Sequence, residues 1–441
     1  MGTEPIHGLL IKMSLPLMLS MFVQALYNVV DSIFVAHINE EALTAVTLAN
    51  PFQLLNMAFG IGTAIGMSAL LSRCLGAKAY AKAEKVAHNG FVLVAINYTI
   101  FFIVGCFAGK IISAQTGDPT IVAYGTVYLQ ITQWLSIMPM TQSMLERLLQ
   151  ATGKTKYILF VQGSGALFNC IMDPILIFGY FGFPALGVKG AALATVFGQT
   201  LGCCLGLYFN KTRNKEIGLS WRKIKPHWPT MKDIYRIGIP TIVMQSVGSV
   251  MNFLINQILI AFSATAVATF GAYFKLQSFV FMPTFGLNSG TVPIVAYNYG
   301  ARRRDRLEEV MSLGVRYGVG FMLMGTAIFW IFPKQLMALF AASPEMTAMG
   351  VNALHIMSLN FPFAGYCIMR GAVFQALGKS VYSMNISLVR QLVVIVPVAF
   401  LFSRLFGVNA VWWAFPIAEI IGVTMSVLYT KRVRKRIIDK I

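Results

Sequence analysis

The chain has 441 residues, 57% of them hydrophobic and only 12% charged, with a formal net charge of +19. A soluble domain carries roughly 25% charged residues, so this composition excludes an ordinary soluble enzyme or binding module and points to a polytopic membrane protein. Nor is the basic excess a nucleic-acid signature. Lys110, Lys189, Lys334 and Arg404 lie at one set of loops, Lys275 and Arg390 lie inside apolar runs, and the rest of the 35 Lys and Arg fall on the other side.

Twelve apolar runs reach the ~20 residues that a spanning helix needs: 9–36, 42–72, 87–110, 120–146, 157–180, 187–209, 233–262, 266–299, 311–332, 347–372, 381–402 and 408–430. The positive-inside rule then places the N-terminus, the even-to-odd loops and the C-terminus in the cytoplasm, with the chain multi-pass in the cell (inner) membrane. Run 9–36 is too long for a signal peptide, has no convincing cleavage site, and is expected to remain as the first helix.

The first run contains Pro16 and ends in LYNVVDSIFVA, which carries Tyr27, Asn28 and Asp31. A charged Asp in the middle of a spanning helix costs roughly 2.5–3.5 kcal/mol, so such a residue is expected to have a partner, a wet cavity or a task. The second run brings Met57 and the glycine-rich GIGTAIGMSALLSRCLGA (60–77). Glu146 and Arg147, near the end of the fourth run, read as gate or surface charges. The following QATGKTKY (150–157) lacks the first glycine of a P-loop, with Leu148 in its place, and reads as a cytoplasmic turn. Transport driven by this chain's own ATP hydrolysis is therefore not expected.

The fifth run answers the first. In LFNCIMDPILIFG (167–179), Asn169 and Asp173 are spaced i,i+4 and share one helix face. At ~1.5 Å per residue, Asp31 stands roughly 28 Å above Lys12 and Asp173 roughly 25 Å above Lys156. Thr195, about 12 Å down from Gly187 in the sixth run, reaches the same level. These oxygens could form a proton or small hard-cation site, and with no basic residue near that depth one acid is expected to share or hold a proton. A purely structural hydrogen-bonding role, with Asp31 and Asp173 tied to Asn, Thr or Tyr27, is the competing reading.

Segment 210–232, basic and containing Pro226 and Pro229, reads as a cytoplasmic linker. Beyond it the seventh run holds Asn252, and Ile255 where Asp31 would repeat; the eighth holds Lys275 and Met282. Lys275 either snorkels or faces a cleft. Arg390 and Glu419, at nearly equal depth in the last two runs, are expected to form an internal ion pair that is structural. The six cysteines have no CxxC spacing and the five histidines no ligand spacing, so neither disulfides nor zinc are expected.

A shift of 224 residues lays 10–90 over 234–314 without a gap, matching Pro16 with Pro240, Asn28 with Asn252, Gly62 with Gly286 and Gly66 with Gly290. QALGKSVY (375–382) echoes QATGKTKY at an offset of 225. The expected fold is therefore an all-α polytopic membrane protein of twelve transmembrane helices. It comprises two six-helix lobes, 1–209 and 233–441, joined by the linker 210–232 and related by a pseudo-twofold axis along the membrane normal.

QALYNVVDSIFVA (24–36), the glycine-rich 60–77, NCIMDPILIFG (169–179) with GVKGAALATVFGQ (187–199), and MPTFGLNSGTVPIVAYNYGA (282–301) together make the chain resemble the multidrug and toxic compound extrusion family of secondary transporters. The likeness covers almost the whole chain and is closest to the branch with acids in the first lobe. It implies export of bulky, often cationic amphipathic compounds in exchange for H⁺ or Na⁺. It further implies a cation or proton site, a possible Na⁺ site, at Asp31, Asn169, Asp173 and Thr195, with a bending helix at Pro16. Substrate contacts are expected from Tyr27, Asn28, Met57, Asn252, Lys275 and Met282. No cofactor, nucleic acid or catalytic residue is expected, and the protein is expected to be a monomer. The alternative is a lipid or lipid-linked oligosaccharide flippase of the same superfamily. An integral-membrane enzyme would need a cluster of acids, histidines or metal ligands at a membrane face, and a channel a filter or charge ring; neither appears.

Overall fold

A long apolar segment in a bilayer has no water with which to satisfy its backbone, so helix is the conformation open to it. The computed structural model describes residues 1–218, 225–340 and 342–440, and among these every regular element is helical. Residues 219–224, inside the expected 210–232 linker, lie outside the described residues. In the first half the helices are α1 (Ile6–Ala36), α2 (Glu40–Gly76), α3 (Tyr80–Cys106), the short α4 (Ala108–Ser113), α5 (Pro119–Trp134), α6 (Ile137–Ala151), α7 (Lys156–Phe178) and α8 (Val188–Arg213). The second half follows with α9 (Trp228–Ile260), α10 (Ala264–Gly300), α11 (Arg304–Ile331), α12 (Pro333–Ala338), α13 (Pro344–Ser358), α14 (Phe361–Ala376), α15 (Ser380–Leu388), α16 (Val396–Phe406) and α17 (Ala414–Arg436).

Ten spans among the described residues are long and apolar enough to cross a membrane unbroken. The fourth and tenth expected spans are each divided, α5 from α6 at Leu135–Ser136 and α13 from α14 at Leu359–Asn360. Pro139 and Pro362 lie just beyond these breaks, and a proline removes one helical bond and crowds the preceding turn. Between α15 and α16 the chain widens into a π-helical turn, Val389–Ile395, ahead of Pro397.

The sequence repeat extends to the helix ends. Asn39 Oδ1 accepts from the Ala42 amide at 2.7 Å to start α2, and Ser263 Oγ accepts from Ala266 at 3.1 Å to start α10. Asp118 and Ser343 cap α5 and α13 in the same way. Lys78 and Arg302, also 224 apart, both take left-handed φ (56° and 53°) where α2 and α10 end. The QATGKTKY and QALGKSVY segments are turns: Gly153 and Gly378 have φ of 80° and 72°, and the next amide reaches back to Leu149 O (2.8 Å) and Phe374 O (2.7 Å).

The chain forms two compact units, one of Leu19–Ile242 and the other of Met1–Met18 with Val243–Ile441. The first has a core around Val35, Ala49, Tyr128, Leu129, Ile177 and Ala191. In it Gly66 of α2 lies against the Ile234 carbonyl of α9, where any Cβ would collide. The second is built on aromatic rings, with Phe270 stacked on Trp412 at 6.5 Å and 12° and Phe361 edge-on to Phe329 at 5.1 Å. Its Gly290, on α10, meets Ser14 of α1 in the way that Gly66 meets Ile234.

Candidate functional site

Helix α7 has two faces with the same spacing and opposite chemistry. Phe160, Leu167 and Ile171 point outward and are exposed, whereas Gln162, Asn169 and Asp173 point into the Leu19–Ile242 unit. Helix α8 approaches this inner face through a stripe of small residues at every fourth position: Gly190, Ala194, Gly198, Gly202 and Gly206. A Cβ on Gly198 would stand 2.7 Å from the Gly165 carbonyl and 3.1 Å from Asn169 Cβ, so only glycine permits this distance.

The close approach lets Asn169 join the two helices. In the amide orientation that satisfies both its ends, Nδ2 donates to Asp173 Oδ2 at 3.1 Å and Oδ1 accepts from the Thr195 backbone amide at 3.0 Å. The Thr195 hydroxyl donates to Ala191 O at 3.1 Å. Thr195 thus enters through its main chain as well as its side chain, which spacing alone does not reveal. Asp173 is fully buried. It precedes Pro174, which has no N–H to give to the Cys170 carbonyl one turn back, so that oxygen loses its usual intrahelical donor at the level of the acid.

Asp31 faces the same place from α1. Its Oδ1 is buried and has no hydrogen-bond partner. Asp31, Asp173, Tyr27 and Tyr128 lie within electrostatic reach of one another, and Tyr128 Oη accepts from Gln53 Nε2 at 3.2 Å. These groups stand at a cavity of about 500 Å³ enclosed by this unit and lined by Asp31, Asn169 and Thr195. Of the expected substrate contacts, Tyr27, Asn28 and Met57 line it; Asn252, Lys275 and Met282 belong to the other unit and are not among its walls.

Two features of this cavity go beyond the sequence reading. Its walls are rich in amides, including Gln24, Gln53, Gln133, Gln142, Gln162 and Gln199, and among the described residues no Lys, Arg or His lines it. Glu146, expected to be an end-of-helix gate or surface charge, is instead buried in its wall: Gln142 Nε2 donates to Oε1 and Gln162 Nε2 to Oε2, both at 2.9 Å. Arg147, the next residue, donates to Gln150 Oε1 at 2.6 Å. The i,i+4 pair Gln142/Glu146 and the stripe Gln162/Asn169/Asp173 were the signals available for this arrangement, since residues so spaced share a helix face.

In the other unit, Arg390 Nη1 donates to Glu419 Oε1 at 2.8 Å, with Glu419 almost entirely buried. Arg390 sits in the π-helical turn. Lys275 is exposed, and Arg370 lies over the Tyr366 ring at 5.2 Å. Pro16 lies inside α1. Among the described residues no cluster of three or more His, Cys, Asp or Glu is placed to hold a metal ion, and the six cysteines are free thiols.

A repeated helical chain with membrane-spanning segments, its polar residues gathered around an interior acidic cavity, has the architecture of a membrane transporter. Residues 16–175 and 240–428 match the MatE family, and the chain belongs to it. The two matched segments begin 224 residues apart, at Pro16 and Pro240. The chain is 27% identical over 431 residues to the multidrug export protein MepA of Staphylococcus haemolyticus (strain JCSC1435), covering 97% of this chain and 94% of that protein. MepA of Staphylococcus aureus (strain bovine RF122 / ET3-1) is 24% identical over 436 residues, with 98% and 95% covered. The solved outward-facing conformation of a multidrug resistance MATE family transporter of the MOP superfamily matches with a TM-score of 0.90 at 23% identity. That match covers 97% of this chain and 96% of the other, and it supports the twelve-helix, two-lobe fold.

Proposed function

We propose that this protein is a multidrug efflux antiporter. It exports bulky, cationic amphipathic compounds across the cell membrane in exchange for H⁺ or Na⁺, acting as a monomer with both termini in the cytoplasm and needing no cofactor. The observation that carries this reading is the charge of the cavity: Asp31 and Glu146 in its wall, buried Asp173 behind Asn169, and, among the described residues, no basic residue in the lining. A positive ligand offsets that charge, and so does a coupling cation. The MepA relatives, named as multidrug export proteins, support export of drugs. A flippase for an anionic lipid phosphate would call for the opposite sign.

Coupling follows from competition. A cation taken up at Asp31 and Asp173 reduces the negative charge that holds a cationic drug and so favours drug release. Discharge of that cation to the cytoplasm restores the charge and allows the next drug to bind. Asn169 holds Asp173 and ties it to the α8 backbone, so a change at the acid is passed to a second helix. Of the two candidate ions the proton fits more simply, because Asn169 Oδ1 already accepts from Thr195 and a proton needs only one further oxygen. Rocking of two lobes, 1–209 and 233–441, about the helix containing Pro16 then gives alternating access.

The test is dye efflux from inverted vesicles under an imposed pH gradient, then under an imposed Na⁺ gradient. Proton antiport predicts that the pH gradient alone drives transport. Transport with the Na⁺ gradient alone would assign the site to Na⁺, and transport with neither would overturn antiport.

A further inference from the structure

Glu146 is a carboxylate that the coupling mechanism does not use. It sits in α6 about five residues from the end of that helix, and its partner Gln162 stands on α7 eleven residues before Asp173. At ~1.5 Å per residue this puts Gln162, and Glu146 with it, roughly 16 Å along α7 from Asp173, whose partner Asn169 lines the same cavity. The two glutamine amides fix both carboxylate oxygens by donating from Nε2. Because Gln162 spends its amino group on Glu146, its Oε1 is left over, and that atom is buried without a hydrogen-bond partner. Glu146 and Gln162 both line the cavity, so a negative charge and an unmatched acceptor lie together in its wall. Arg147 is the nearby cation that acts on Glu146, and it bonds to Gln150.

Resting on the reading of this cavity as a cation-binding site, we propose that Glu146, Gln142 and Gln162 form a second subsite that takes a cationic group bearing N–H donors. Ammonium, amidinium and guanidinium groups have this chemistry. One N–H goes to Glu146 and a second to Gln162 Oε1. A quaternary ammonium offers the same charge with no donor, so it leaves the Gln162 acceptor buried and unmatched, which is costly inside a protein. The subsite therefore selects by donor count as well as by charge.

Binding to the purified protein in lipid nanodiscs tests this without any ion gradient, so failure of antiport and failure of this subsite are read separately. The probes are a naphthylalkyl primary ammonium and its trimethylammonium analogue, titrated at pH 7. Wild type should bind the primary ammonium about tenfold more tightly, in keeping with a charged hydrogen bond gained. Glu146→Gln should weaken the primary ammonium at least tenfold and abolish the preference. Gln162→Leu, which leaves Glu146 in place, should also abolish the preference and serves if Glu146→Gln fails to fold. Equal affinity of the two probes for wild type, or a preference that survives either substitution in folded protein, would overturn the proposal.

Discussion

Asp31 and Asp173 differ in how far the fold has already satisfied them. Asp173 is fully buried and receives the Asn169 amide, whereas Asp31 keeps a buried oxygen without a partner. On the proposed antiport, the unmatched oxygen would be the first station for an incoming cation and the held one the second. Asp31→Asn and Asp173→Asn change charge with little change of volume, so both variants should reach the membrane folded and lose coupled drug efflux. Wild-type efflux by either one at matched expression would remove that residue from the site. Arg390 and Glu419 present the opposite case, since each is the other's compensation. Removing one alone leaves a buried charge unpaired and should lower stability by about 3–5 kcal/mol, while the double replacement Arg390→Met with Glu419→Leu should recover much of it. A double-mutant cycle on thermal unfolding checks this, and additive losses would mean that the pair contributes nothing as a pair.

At the scale of elements, how much was legible depended on whether the signal lay within one helix or between two. The spans, the Asn169/Asp173 spacing and the duplicated turns are local patterns in a single stretch of chain. The bond from Thr195 N–H to Asn169 depends on how near α8 comes to α7, which in turn depends on glycines whose purpose appears only when the partner helix is present. Glu146 escapes the sequence for the same reason: counted from its helix end it reads as a gate or surface charge, but Gln142 and Gln162 hold it in the wall of the cavity. The breaks in the fourth and tenth spans were signalled by Pro139 and Pro362, yet an apolar count passes over them. The glycine argument can be tested directly. Gly198→Leu must push α8 away from Gly165 and Asn169, so it should destabilise by about 1–3 kcal/mol and abolish efflux. Gly163→Ala on α7, where a new Cβ meets nothing within 4 Å, should leave efflux intact and stabilise the helix by roughly 0.5–1 kcal/mol. Comparable losses of melting temperature in the two variants would show that close approach at Gly198 is not what orients Asn169.

Over the whole molecule, the division into two compact units does not fall between helices. It falls within α1 after Met18 and within α9 after Ile242, two residues beyond Pro16 and Pro240 in each case. A proline inside a helix removes one backbone bond and crowds the carbonyl four residues earlier, Lys12 in α1 and Arg236 in α9, so bending there costs less than elsewhere along the helix. The two halves of the sequence thus supply one soft point each, at repeat-related positions. They differ in what lies further along the helix. Beyond Pro16, α1 carries Asp31, whereas α9 has Ile255 at the repeat-related position. Beyond Pro240, α9 has no ionisable residue, so on the proposed antiport the segment past the proline can change its charge with ion binding in α1 and not in α9, and so bias a straight form against a bent one. Pro16→Ala restores the missing bond and favours the straight form at every pH. It should therefore depress efflux and flatten its pH dependence, whereas Pro240→Ala should alter the rate without altering the shape of the pH profile. Efflux measured against pH for both variants at matched expression separates the two roles. Equal flattening, or a larger effect at Pro240, would mean that ion binding at Asp31 does not act through a bend in α1.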